Sequence, residues 1–520
     1  GPAPIEHNER TETTVSASRE KKTRQGQTSQ GPDERVQECQ RKQKADRRSS
    51  ILYAVVGVIC VAAIAVTLVL NSGLIQRSMT AVTIQDTKYS AADLQYYYNV
   101  MYQNTLQYAM YGLQTGFDYT KDPKDQVYDQ ETGDTWYDHL LDGAVDYLTT
   151  ITALYDKAVA EGYAISEDGQ AALDETVTTL NNAWVGQYNT RNEMIRSNYG
   201  PYMTYDHLLE LLEREALVSD YASTNKAAYT YSQADYESYY QENKDALDTF
   251  TTSQLALRAS VPTTDENGDT IEMTEEEQAA ALEEAKAEVK AKAEEILAKM
   301  EAGEEPADLA AQYSEDLYSD AVSRVQTGSS VNSSYTDWAF DSARKAGDVT
   351  LAEYDGGSSY YYYVVRFEDR QRNDGAAADI RNILVTADSD DEAKSSAEDL
   401  LAQWQSGDAT EDSFADLAAS NSKDPVSATG GGLMTNLTAL TSDAVYTNWA
   451  LDPARQPGDT TVIQDTEAEG YQILYFVAQK DPVWQQTADN SLRTEDQTAW
   501  EESAAEGYEA ALGFAAKFVQ

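Results

Sequence analysis

The chain has 520 residues, too many for one ordinary hydrophobic core, so several domains are expected. Its 39 basic and 89 acidic residues leave a formal net charge of −50 at pH 7, which argues against nucleic acid as a partner. With only His7, His139, His207, Cys39 and Cys60, a zinc site of the usual ligands cannot be built without heavy carboxylate use, and a Ser-His-Asp triad would have to draw on His139 or His207. No metal and no cofactor is expected.

In chain order, residues 1–50 are polar, rich in Gln and Arg, and nearly free of large apolar side chains, so they read as a disordered tail. Residues 51–70, "ILYAVVGVICVAAIAVTLVL", carry no charge and reach the roughly 20 residues that cross a bilayer. Arg41, Lys42, Lys44, Arg47 and Arg48 precede this stretch, and Arg77 is the nearest base after it. The positive-inside bias then leaves the tail in the cytoplasm and the bulk of the chain outside, anchored by a single pass. A cleaved signal peptide fits less well after so long a polar tail. A lipid anchor at Cys60 fits poorly too, because Cys60 lies mid-span behind a bulky Ile59. The part beyond the span has no cysteine, which suits an exported protein of a Gram-positive-like bacterium.

Residues 79–245 read as a helical lobe after one short strand, "AVTI". Ser90 with Asp93 three residues on marks a capped helix start. Val145, Leu148, Ile151, Tyr155 and Ala158 recur at helical spacing, and Ser232 is a candidate N-cap.

Residues 250–370 and 376–481 then repeat one another. Each begins with a strand ("TTSQLALRASV", "DIRNILVTA"), continues through an Ala/Glu-rich helix (about 275–301 and 391–405) and a second short helix, and closes on an apolar strand ("SYYYYVVRFED", "GYQILYFVAQKD"). Between them stand "TDWAFDSARKAGDVT" at Thr336–Thr350 and "TNWALDPARQPGDTT" at Thr447–Thr461, which share Thr, Trp, Ala, Asp, Ala, Arg, Gly, Asp and Thr in register. Residues 482–520 read as a helical segment, with Trp500, Tyr508, Leu512, Phe514 and Phe518 as apolar members that pack on the N-terminal lobe.

These residues resemble the extracytoplasmic parvulin-type foldases of the PrsA/SurA kind. The second repeat carries most of the likeness: "RNILV" at Arg381–Val385, "FADLAASNSKDPVSATGGGLM", the "NWALDPARQPGDTT" turn and "GYQILYF" follow one another in the family's order. The resemblance implies an α+β fold: a transmembrane helix, a helical chaperone-like lobe, two tandem parvulin-like domains of small antiparallel sheet with helices, and a C-terminal helix. It implies unfolded or proline-containing exported polypeptides as partners, and peptidyl-prolyl isomerisation as the chemistry. It implies no oligomeric state.

The same resemblance assigns the site. Asn382 and Gln472 occupy the positions of the family's two histidines in the second repeat, with Asp424 as the acidic neighbour; Leu433, Leu440 and Trp449 line the proline pocket. In the first repeat the matching positions are Gln254, Tyr361 and Asp316, with Trp338 in the turn and "TGSSVNSS" in place of the Gly-Gly loop. Both histidines are thus replaced in both copies, which leaves catalysis open and makes the first copy a binding domain. A non-catalytic surface scaffold reusing the fold is the competing reading.

Plainer roles stand beside these. Trp338 and Trp449 also suit the rim of a turn, Asp424 a cap before Pro425, and two of the four tyrosines Tyr360–Tyr363 the core side of a strand. "DENGDTIEMTEE" from Asp265 fits a calcium loop poorly, because Thr270 stands where Gly is required. A hairpin on Asn267–Gly268 fits better.

Overall fold

The computed structural model describes residues 54–69, 71–113, 116–264, 270–319, 322–357, 359–440 and 445–520. The expected tail at 1–50, the ends of the expected span (residues 51–53 and 70) and the Asn267–Gly268 hairpin lie outside the described residues. Residues 54–69 are helical and exposed. Among the described residues, no helix is long and apolar enough to cross a membrane.

The chain forms two compact units. One takes residues up to Thr152, Asp174–Leu212 and Tyr508–Gln520; the other takes Ala153–Leu173 and Glu213–Gly507. The elements in chain order are α1 (Leu74–Ser78), β1 (Thr80–Ile84), β2 (Thr87–Ser90), α2 (Ala91–Met110), α3 (Trp136–Ala160), α4 (Glu167–Asn182), α5 (Arg191–Tyr199), α6 (Tyr205–Ala228) and α7 (Gln233–Leu247). Next come β3 (Thr249–Ser260), α8 (Glu275–Glu301), α9 (Pro306–Gln312), β4 (Leu317–Ser319), β5 (Ser323–Thr327), α10 (Thr336–Phe340), β6 (Val349–Asp355) and β7 (Ser359–Gln371). The last are β8 (Ala377–Val385), α11 (Asp390–Ser406), α12 (Glu411–Asn421), β9 (Leu433–Leu437), α13 (Thr447–Ala450), β10 (Thr460–Asp465), β11 (Gly470–Lys480), α14 (Val483–Ala505) and β12 (Ala510–Leu512).

In the first unit α2 starts where its cap dictates. The Ser90 hydroxyl accepts from the Asp93 N–H, and the Asp93 carboxylate accepts from the Ser90 N–H at 2.7 Å. The single strand expected there is a hairpin instead: β1 turns back as β2 through Gln85, whose φ is +51°. β12 then pairs on the other edge of β1, with Val82 opposite Leu512. The C-terminal segment is accordingly not all helix. α14 stops at Ala505 and Gly507 takes a φ of +81°, a conformation that ends helices without steric penalty only in glycine. The core of this unit gathers Val82, Leu94, Tyr97, Leu148, Ile195, Leu208 and Val519.

The second unit holds two antiparallel sheets. One has the order β4-β3-β7-β6 with β5 also on β3; the other has the order β9-β8-β11-β10. Backbone hydrogen bonds put them in correspondence. Gln254 N–H donates to the Val322 carbonyl and Asn382 N–H to that of Gly432; Phe367 N–H donates to Asp348 and Phe476 N–H to Asp459. One face of each sheet packs on helices: Leu255, Leu257, Tyr362 and Val364 against Ile296 and Met300 of α8, and Ile383, Val385, Ile473 and Tyr475 against Trp404 of α11 and Phe414 of α12. The other faces carry smaller clusters built on the repeated turn.

That turn is fixed the same way twice. The Arg344 guanidinium lies 4.5 Å from the Trp338 ring centre and donates to the Trp338 carbonyl; Arg455 lies 4.7 Å from Trp449 and donates to its carbonyl. Each arginine also pairs with the aspartates three residues before and four residues after it, Asp341 and Asp348 or Asp452 and Asp459. Between the sheets, Arg372 is stacked by Tyr240 and Trp484 and ion-paired to Glu237 and Asp374, which ties the β7–β8 link to α7 and α14.

Candidate functional site

The face of the second sheet turned away from α11 and α12 holds a closed polar network. Strand alternation sends Ile383 and Val385 toward the helices and Asn382 to the opposite side, where it is fully buried. Gln472 on β11 pairs with Leu384, and Asn382 with Leu474, so the two carboxamides are diagonal neighbours on one face. Asn382 Nδ2 donates to Asp424 Oδ2 and to Gln472 Oε1, each at 3.0 Å. The Ser427 hydroxyl is 2.7 Å from Asn382 Oδ1 and 2.9 Å from Asp424 Oδ2. Gln472 Nε2 donates to Asp465 Oδ2 at 2.9 Å.

Local structure sets these positions. Asp424 follows the end of α12, and its other oxygen accepts from the Val426 N–H beyond Pro425. Gly432 leads into β9 with φ +73°, and a Cβ there would lie 2.2 Å from the Asn382 carbonyl oxygen, so only glycine lets β9 close over Asn382.

Burial alone would push the Asp424 carboxyl up. Hydrogen bonds from Asn382, the Val426 N–H and Ser427 outweigh it and hold Asp424 below the ordinary carboxylate range. Tyr446 beside it is pushed up by burial and by the charges of Asp424 and Asp465. The site therefore presents the Asp424 carboxylate, the Asp465 carboxyl, two amides, the Ser427 hydroxyl and the Tyr446 phenol, and among the described residues no imidazole or thiol joins them. It offers hydrogen-bonding groups beside an apolar surface.

The structure brings Asn382, Asp424 and Gln472 together. Trp449 is half-buried on the same face, edge-on to Phe476 in a cluster with Ile380, Tyr446 and Leu474. Leu433 does not join them. It pairs with Arg381, on the helix side of the sheet, and is 40% exposed; Met434, opposite Ile380, is the β9 side chain that faces the cluster. The correction is one residue, which in a strand is a change of face. Leu440 is half-buried in the turn after β9, outside that cluster.

In the first sheet Gln254 is buried and accepts from the Tyr335 hydroxyl at 2.9 Å. The register makes Tyr363, opposite Ala256, the counterpart of Gln472, and not Tyr361. Asp316 pairs with Lys292 at 2.6 Å and takes no part in a network with Gln254. Two members of the second network, Ser427 and Asp465, and the neighbouring Tyr446 of the apolar cluster escaped sequence reasoning. The only trace of Tyr446 was its place just before the repeated turn, which Tyr335 shares.

Against this geometry, the PPIC-type peptidyl-prolyl isomerase domain family matches residues 362–466, from within β7 to just past β10. The chain thus carries a parvulin-type domain, and its resemblance to the parvulin-type foldases stands. Among solved structures it is similar to PrsA of Streptococcus pneumoniae (16% identity, 57% of this chain and 94% of that one, TM-score 0.22) and to PrsA of Bacillus subtilis (18%, 48% and 80%, TM-score 0.15). It is also similar to PrsA of Bacillus anthracis (16% identity, TM-score 0.17), covering 26% of this chain and 58% of that chain's length. No curated protein matches the sequence. The family match carries the assignment.

Proposed function

We propose that the chain is a membrane-anchored, extracytoplasmic foldase or chaperone that binds unfolded exported polypeptides, with weak prolyl isomerase activity in the second of two parvulin-like domains (250–370 and 376–481). The observation that carries this is the apolar face of the second sheet, with the Asn382–Gln472 pair buried at its edge inside a PPIC-type domain. An X–Pro bond flips over a barrier of ~18–20 kcal/mol without covalent help. Catalysis needs an apolar seat for the proline ring and donors that favour the twisted amide. Met434, Trp449 and Phe476 would supply the seat. Both Asn382 N–H groups already have acceptors, which leaves Gln472 with the one uncommitted N–H of the pair among the described residues and keeps the activity low. Anchoring is supported by the uncharged run at 51–70 behind a basic segment, with the N-terminus in the cytoplasm.

A refolding assay on a proline-limited client tests the reading. The chain is expected to suppress aggregation and to speed the slow phase modestly, with Trp449→Ala and Asp424→Ala both weakening the second effect. An unchanged slow phase removes the isomerase part. Unchanged aggregation as well leaves the second reading, a non-catalytic surface scaffold, which the internally satisfied network favours. Fractionation of cells expressing the chain with and without residues 51–70 tests the anchor.

A further inference from the structure

The half of the first sheet's open face that the described residues leave exposed carries a row of aromatic side chains. Tyr354 of β6 pairs with Tyr361 of β7, which pairs with Arg258 of β3, and Tyr318 of β4 lies alongside. Ring centres are 6.1 Å apart for Tyr354–Tyr361, 5.4 Å for Tyr318–Tyr361 and 6.3 Å for Tyr361–Tyr363, and the Arg258 guanidinium sits 4.7 Å from the Tyr318 ring. Tyr318 and Tyr354 are about half exposed. The segment carrying Val331, Tyr335 and Ala339 covers Phe250, Val365 and Phe367 on this face and reaches the row only at Tyr363, whose ring centre is 6.4 Å from that of Tyr335.

Charge sets the row apart. In this unit Arg344, Arg366, Arg370, Arg372, Arg455 and Arg493 each pair with carboxylates. Arg258 and Arg324 are exposed and make no ion pair among the described residues. Arg324 on β5 lies opposite Thr252, which is also opposite Phe367, so it belongs to the same face as Arg258. Six residues of β3 separate the two rows, about 20 Å at ~3.3 Å per residue. Two unpaired cations on one face of a chain with net charge −50 are the complement of an anionic partner.

We propose that this face docks an extended acidic polypeptide segment: the tyrosines receive its proline or aromatic side chains and Arg258 and Arg324 its carboxylates. Extended and polyproline-type backbones leave their carbonyls free, and guanidinium and phenol groups donate to them. The chain's bulk negative charge is screened beyond ~8 Å at physiological salt, so the local arginines govern the contact. The proposal rests on the polypeptide-binding reading and narrows its first domain to a partner class.

The test is fluorescence anisotropy on the full chain with a labelled peptide of alternating Glu and Pro and its Gln-for-Glu counterpart. The acidic peptide is expected to bind at least ~10-fold tighter, a preference that Arg258→Gln and Arg324→Gln each reduce. Tyr361→Ala weakens both peptides. Arg258→Lys retains part of the preference, and thermal melts show that each variant is folded. Equal binding of the two peptides, or a preference that survives Arg258→Gln, overturns the proposal. So does polyglucuronate displacing the peptide at lower concentration than unlabelled peptide does, which would make the face a glycan site. If neutral unfolded clients are still held from aggregation in that case, the general reading survives; if they are not, it falls separately.

Discussion

Asn382 is fully buried, and every polar atom of its side chain has a partner. Asn382→Ala strands the Gln472 Oε1 acceptor, takes one donor from Asp424 and leaves a cavity, so a loss of ~2–4 kcal/mol is expected in urea unfolding. Half-buried His207 makes a second pairing, with Nε2 2.7 Å from buried Asp93 and Nδ1 3.6 Å from exposed Glu210. The hydrogen bond to Asp93 raises the His207 pKa against the opposing effect of burial, and Glu210 adds to the rise. Burial would push Asp93 up, but the bonds from His207 and Ser90 hold it down. The raised His207 stabilises the fold fully below its unfolded value of ~6.5 and loses that contribution as pH rises through its folded value; Asp93 contributes above ~3.9 and loses its share as pH falls. Thermal melts should therefore show stability falling above about pH 6.5, and His207→Gln should flatten that fall. These partners were beyond the sequence. Ser90–Asp93 was legible as a cap, but the link to His207 joins helices far apart in the chain. Asp465 reaches Gln472 only because a hairpin folds β10 back on β11.

At the scale of elements, helix starts were the most readable feature. Ser90 and Ser232, read as caps, do cap where Ser precedes an acidic residue by three, and the structure adds Thr274 in the same pattern. Strand faces were harder. Counting from the repeated turn assigns Tyr361 to the Gln472 position. The hairpin from Asp348 to Phe367 is two residues longer than that from Asp459 to Phe476, so sheet register gives Tyr363 instead. Leu433 went astray for a similar reason: the glycine loop before it fixes which way β9 enters the sheet, and composition does not show that. The same loop yields a prediction. Gly432→Ala forces a Cβ against the Asn382 backbone at a positive φ, and should cost more than about 3 kcal/mol in denaturant titration. Gly430→Ala, with open space around its Cβ, should cost far less.

For the molecule as a whole, 89 acidic against 39 basic residues is the dominant long-range term. Self-repulsion of this kind opposes the compact state and is screened as the Debye length falls from ~30 Å at 0.01 M salt to ~8 Å at 0.15 M. Melting temperature should rise with sodium chloride over that range and then level off, while short ion pairs such as Arg370–Asp248 and Arg372–Glu237 persist. The α+β class and, in each repeat, the opening strand, the two helices after it and the closing strand were legible because apolar strands and Ala/Glu helices differ in period; the short strands β4–β6, β9 and β10 were not. The addition of β12 to β1 was not, because a strand of three exposed residues leaves no pattern.

The carboxamide pair at Asn382 and Gln472 has a consequence for chemical durability. An imidazole carries a nitrogen lone pair that binds transition metals and reacts with acylating agents; a carboxamide nitrogen does neither at neutral pH. The carboxamide pair therefore offers zinc or copper no imidazole ligand on this face. Treatment with diethyl pyrocarbonate would mark the chain's three imidazoles, His7, His139 and His207, and leave Asn382 and Gln472 as they were.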